Sequence, residues 1–103
     1  MLMSSVRFVK LAIKAKVWIY PGGGTWHFVS VDKKDGLKIK KHQIGKLRRG
    51  WGAVKVSVTL GKSKWNTSIF PVKDGSYLLP IKSEIRRKED VFDTDTVNIR
   101  LTL

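Results

Sequence analysis

The sequence predicts a mainly β domain, a barrel of about six strands with two short helices, built as a pseudo-two-fold pair of halves within one chain. Three observations carry this. Apolar and polar residues alternate through Val54–Leu60 and again through residues 97–103, the period of half-buried strands. Glycine and proline signals separate short β-rich runs. The order strand, helix, strand occurs twice, with residues 26–31 leading through a basic helix to 54–60, and 76–81 leading through another to 97–103. Two such halves let one chain close a barrel and so remove the exposed edges that invite aggregation.

The elements follow in order. Over residues 8–20, Ile13, Ala15, Val17 and Ile19 share one face and Lys14, Lys16, Trp18 and Tyr20 the other, so Lys10, Lys14 and Lys16 decorate the wet side of a first strand. Pro21-Gly22-Gly23-Gly24 ends it, because proline removes a ladder donor and glycine permits positive φ. Those glycines fit neither GxGxxG nor GxxxxGK[ST], and the β-rich run that follows offers no helix N-terminus for a phosphate.

After a second strand at 26–31, the period changes over residues 32–47. Leu37, Ile44 and Leu47 fall at roughly helical spacing with Lys40 and Lys41 between them, which predicts a short helix with a basic outer face. Gly36 and Gly45 predict that it is short or irregular. Leu47-Arg48-Arg49-Gly50-Trp51-Gly52 makes a cationic, aromatic corner before the third strand. Gly61-Lys62 reads as a tight turn into an antiparallel return at 64–70, with Thr67, Ile69, Trp65 and Phe70. Asp74-Gly75 marks the next turn, 76–81 is a strand closed by Pro80, 82–88 is a short basic helix, and 97–103 is the last strand.

At 103 residues the chain is expected to be one domain spanning 1–103, with residues 1–5 as a disordered N-terminus. Hydrophobic residues make up 42%, which suits a folded core rather than a basic tail. The absence of cysteine excludes disulfides, thiolate nucleophiles and cysteine metal sites. No window approaches the roughly 18 apolar residues of a membrane span and the N-terminus lacks a signal-peptide core, so a soluble, cytoplasmic protein without membrane contact is expected, as monomer or weak dimer.

No catalytic team assembles. His27 falls inside a strand and His42 on the lysine-rich helix, neither with a ligand or base partner at standard spacing. Ser68 and Ser76 have no evident base, and Asp90, Asp93 and Asp95 read as a solvated turn. The expectation is a non-enzymatic protein without cofactor or metal.

Charge points instead to a polyanion. Lysine and arginine number 21 against 8 acids, net +13. From Lys33 to Arg49 eight cations face one acid, Asp35. The nucleic-acid reading assigns phosphate contacts to Lys38, Lys40, Lys41 and Lys46, bidentate grips to Arg48 and Arg49, and base stacking to Trp51. Arg86, Arg87 and Lys88 on the second helix are the pseudo-symmetric counterpart. A solvated helical face explains the same lysines, and a barrel plug explains Trp51. Trp18, Trp26 and Trp65 are expected as core or rim packing. The expected partner is DNA or RNA bound mainly through phosphates; the alternative is a small-ligand or protein-interaction module with a pocket at the barrel mouth near Trp26, Trp51 and Trp65, or the docking of an acidic protein.

Four motifs in order, Trp26-His27-Phe28-Val29, Leu47-Arg48-Arg49-Gly50-Trp51-Gly52, Trp65-Asn66-Thr67-Ser68-Ile69-Phe70-Pro71 and Tyr77-Leu78-Leu79-Pro80-Ile81-Lys82, resemble a prokaryotic family of domains of unknown function. The resemblance covers roughly residues 8–103. It implies a double-split β-barrel related in shape to the swapped-hairpin barrels of AbrB-type and MazE-type DNA-binding regulators. Some relatives carry a fused bacteriocin-protection module, which a chain of this length is not expected to carry. The regulators' Ile-Pro-Lys-x-Ile-Arg helix is similar to Leu79-Pro80-Ile81-Lys82-Ser83-Glu84-Ile85-Arg86, with the proline one position early. Thr94 stands where a glycine precedes aspartate, and a different turn type is expected to accommodate it.

Overall fold

The computed structural model describes residues 9–22, 25–45 and 52–103, with the backbone alone at 44 and 45. The elements run β1 (Lys10–Ile19), β2 (His27–Val31), α1 (Lys33–Gly45), β3 (Val54–Leu60), β4 (Ser63–Pro71), β5 (Tyr77–Pro80), α2 (Ser83–Glu89) and β6 (Thr96–Thr102). The expected N-terminal disorder at 1–5 and most of the 47–52 corner fall outside the described residues.

The strands close into a barrel in the order β1-β2-β5-β4-β3-β6, and every pair is antiparallel. Exchanging β1 with β4, β2 with β5 and β3 with β6 leaves this ring of pairings unchanged. The pseudo-repeat therefore extends over four elements per half, β1-β2-α1-β3 and β4-β5-α2-β6.

The two long strands make the barrel split. β1 pairs with β6 over residues 10–16 and then crosses to β2 over 17–19; β4 pairs with β3 over 63–69 and with β5 at 70–71. One side of the barrel is thus a four-stranded sheet, β1-β6-β3-β4, and the other is β1-β2-β5-β4. Alternation puts one residue in two inside. Val17, Val29, Val58, Ile69, Leu79, Ile99 and Leu101 are all sealed from solvent, each contributing roughly 1.5–3 kcal/mol of burial.

Antiparallel pairing also fixes where the helices go. Val31, the last residue of β2, pairs with Tyr77, the first of β5. α1 follows one end of that ladder and α2 the other, so the two helices cap opposite ends of the barrel. Asp32 starts α1, its carboxylate accepting from the Asp35 N–H at 3.0 Å. α2 closes in a left-handed Asp90, φ 55°, with Arg86, Arg87 and Lys88 in its last turn, where cations complement the helix dipole. Glu89 ties α2 to the β3–β4 turn by accepting from Ser63 Oγ at 2.6 Å.

Three sequence expectations change. Ile19 was placed inward with Ile13 and Val17 but is 42% exposed, because β1 ends there, past the barrel interior. Leu37 was assigned to the buried stripe of α1 and is 54% exposed; Gly36 and Ile39 form that stripe instead, three residues apart. Gly36 is small because α1 passes directly over the Gly75 carbonyl and the Tyr77 ring. Thr94 does not take a conformation that suits a β-branched residue. It takes the left-handed conformation itself, φ 73°, and donates its N–H to Val17 O at 2.8 Å.

Candidate nucleic-acid interface

The basic residues proposed from the sequence separate into three groups. Lys38, Lys40 and Lys41 are exposed on α1 at one end of the barrel. Arg87 and Lys88 are exposed on α2 at the other end, with Arg86 half-buried beside them. Lys46, Arg48, Arg49 and Trp51 fall outside the described residues. The helical cations are therefore not one surface: the pseudo-two-fold relates them but keeps them a barrel length apart. Part of this charge has local partners, Lys38 with Asp35 at 3.9 Å and Lys88 with Glu84 at 3.5 Å.

A continuous cationic surface lies elsewhere, on the outer face of the four-stranded sheet. β1 contributes Lys10, Ala12, Lys14 and Lys16; β6 contributes Thr96, Asn98, Arg100 and Thr102; β3 contributes Lys55, Ser57 and Thr59; β4 contributes Lys64, Asn66 and Ser68. Registers set these side chains in rows. Ala12, Arg100, Thr59 and Lys64 stand side by side across the four strands, and Lys10, Thr102, Ser57 and Asn66 make the neighbouring row. With strands about 4.8 Å apart, Arg100 and Lys64 sit roughly 10 Å from one another.

Six of these outward residues are cations and none is an acid. Among the described residues none of the six has an ion-pair partner. Between them stand only small hydroxyl, amide and methyl groups, short enough to let a phosphate backbone approach the sheet. Ser57 and Asn66 already hydrogen-bond across the ladder at 2.8 Å. Such a face combines charge with neutral donors, the two components of sequence-independent phosphate contact.

The other side of the barrel is its opposite in character. Trp18, Tyr20, Phe28, Leu78 and Pro80 point outward there, and ring contacts link Trp18 to Phe28 at 5.4 Å, Tyr20 to Phe28 at 6.0 Å and Trp26 to Phe28 in a stack at 6.0 Å. Trp18 is half-buried and its indole N–H donates to Ser30 Oγ at 3.0 Å. Trp65 packs against the core as expected. Trp26 sits at the rim, 60% exposed at the mouth of a cleft beside His27 and Arg86.

Among the described residues two titrating groups are displaced from their ordinary range, both away from the basic face. Hydrogen bonds from the Ser76 hydroxyl and N–H hold the Asp74 carboxyl below the usual carboxylate range. Burial pushes the Tyr77 phenol up. Among the described residues no helix is long and apolar enough to cross a membrane.

Residues 14–101 match a family model whose description is "Domain of unknown function (DUF1905)". The match begins within β1, ends within β6 and takes in the strands and helices between them. No curated protein is similar enough to count as a match.

Proposed function

The chain belongs to the DUF1905 family, whose description assigns no activity, and we propose from its own surface that it binds nucleic acid through phosphate contacts with little sequence preference. The observation that carries this reading is the outer face of β1-β6-β3-β4, where Lys10, Lys14, Lys16, Lys55, Lys64 and Arg100 meet no carboxylate. Lysines there act as point charges, and Arg100 adds a fork able to hold two phosphate oxygens. Small neutral neighbours leave the sheet open to a phosphate backbone, and affinity is set mainly by charge.

The role is that of a non-enzymatic cytoplasmic binding module, and a kinship in shape with AbrB-type and MazE-type DNA-binding barrels belongs to the same proposal. Lys38, Lys40, Lys41, Arg86, Arg87 and Lys88 add long-range attraction from the two barrel ends, and Lys46, Arg48 and Arg49 extend the charge between α1 and β3 in the chain. A second reading, a small-ligand module, draws support from the cleft beside Trp26.

The test is a titration of labelled duplex DNA and single-stranded RNA by fluorescence anisotropy from about 50 to about 200 mM salt. Six phosphate contacts predict a loss of affinity of about a thousandfold over that range. Absence of binding at the low-salt end would remove the nucleic-acid reading.

A further inference from the structure

The approximate two-fold of the barrel supplies an internal comparison. β2 begins at His27 and β5 at Tyr77; α1 begins at Lys33 and α2 at Ser83. One offset aligns both pairs, and it sets Gly36 opposite Arg86 and Ser76 opposite Trp26. In one half the space between helix and strand is filled, with Gly36 against the Gly75 carbonyl and the Tyr77 ring alongside. In the other half the equivalent space is a cleft of about 330 Å3, within the size range of small-molecule sites. A barrel that needed only closure would fill both ends alike.

The cleft is chemically organised around Arg86. Its Nε donates to Ile81 O at 3.1 Å, and its Nη1 donates to His27 Nε2 at 3.4 Å. His27 is 9% exposed and donates its Nδ1–H to Thr25 O at 2.7 Å, which leaves Nε2 as the acceptor for the guanidinium. The arginine is thus fixed on two edges by neutral acceptors. Among the described residues no carboxylate lies within ion-pair distance of it, and its Nη2 has no partner. A guanidinium oriented in this way keeps its charge for a ligand.

The rest of the lining completes the specification. Trp26 offers one open face, its other being stacked on Phe28, and Trp65 borders the same cleft. Lys82 adds a second cation, held only by an exposed contact to Glu84 at 4.0 Å. No acid lines the cleft. We propose that it binds a small planar aromatic molecule bearing a carboxylate or phosphate, with the anion on Arg86 and Lys82 and the ring against the indoles of Trp26 and Trp65. This site does not rest on the nucleic-acid reading.

The experiment follows the Trp26 and Trp65 indole N–H signals by nitrogen-15 NMR during titration with adenosine 5′-monophosphate and with benzoate. Adenosine and benzamide serve as neutral counterparts. Both anions are expected to shift both indole signals saturably, and each neutral counterpart to bind at least about tenfold more weakly, the scale of one charged hydrogen bond. Arg86→Gln should weaken both anions by the same factor. Trp26→Ala, which removes an exposed ring and leaves the core intact, should also weaken them and keeps the test decisive if Arg86→Gln fails to fold.

Absence of shifts with either anion, neutral compounds binding as well as charged ones, or unchanged binding in folded Trp26→Ala would overturn the assignment. A 5′-phosphorylated octathymidylate separates the sources of the anion: binding of the oligonucleotide alone, with neither small anion, would return the cleft to the nucleic-acid surface and overturn the small-ligand assignment. Retention of adenosine 5′-monophosphate by a variant with Gln at Lys14, Lys55, Lys64 and Arg100 is expected whether or not that variant still binds DNA.

Discussion

Replacing Lys14, Lys55, Lys64 and Arg100 together by Gln removes four of the six cations from the outer face of β1-β6-β3-β4. All four are exposed on the outward side of their strands, so the substitution alters no buried group. Among the described residues none of the four holds an ion pair, and the change should leave the melting temperature unaltered or raise it slightly by relieving self-repulsion. The effect on DNA is larger. Counterion release gives a log–log salt slope of about −0.9 per phosphate contact on a duplex, hence about −5 for six contacts and about −2 for the remaining two. Between about 50 and 200 mM salt the parent should lose roughly a thousandfold in affinity and the variant roughly tenfold. Anisotropy of a labelled duplex reads both slopes directly. The control is Lys38→Gln, Lys40→Gln and Lys41→Gln on α1, which remove nearly as much charge from one end of the barrel. Equal slopes in parent and sheet variant, or a larger flattening in the α1 variant, would refute the assignment to the sheet.

Four further outcomes follow from the packing and hydrogen bonding. Thr94→Gly should stabilise the domain by about 1 kcal/mol in chemical denaturation, because a β-branched residue at φ 73° carries strain that glycine does not. Gly36→Ala should destabilise it, against the roughly 1 kcal/mol gain that alanine brings to an ordinary helix, because the new methyl meets the Gly75 carbonyl. Leu79→Ala should cost about 2–5 kcal/mol, the range for a sealed leucine. For Tyr77 the raised pKa means the folded state holds the phenolic proton more tightly than the unfolded state. Its contribution is complete below the ordinary tyrosine value of about 10 and is lost as pH rises through the higher folded value. Alkaline denaturation of the parent should thus be steeper than that of Tyr77→Phe.

Much of the architecture is written in local periodicity. Strand alternation at Val54–Leu60 and the Gly61-Lys62 turn specify the β3–β4 hairpin without reference to anything distant. Alternation also identifies Lys10, Lys14 and Lys16 as outward on β1, and Arg100 as outward on β6. What it does not carry is that β6 pairs with both β1 and β3, since Lys10 and Thr102 are brought together only by closure of the barrel. The cationic face is therefore present in the sequence only in pieces, each less dense in charge than the run from Lys33 to Arg49.

The cleft was hidden for a related reason. Trp26 and Trp65 were legible as rim aromatics of a barrel mouth, but His27 and Arg86 are far apart in sequence and meet because Ile81 N donates to His27 O at 2.9 Å, which carries the start of α2 across β2. The inward assignment of Leu37 failed on helix geometry. Leu37 and Ile39 are too close in sequence to share a face, and the glycine at 36 decides for Ile39 by letting that side approach the β4–β5 turn.

Lysine acetylation footprinting with and without duplex DNA tests the central claim most directly, because it reads each lysine in the unmodified sequence. The sheet assignment predicts protection of Lys10, Lys14, Lys16, Lys55 and Lys64, with Lys38, Lys40 and Lys41 on α1 and Lys88 on α2 modified nearly as in the free protein. Protection confined to the helical lysines, with the five sheet lysines unaffected by DNA, would contradict it.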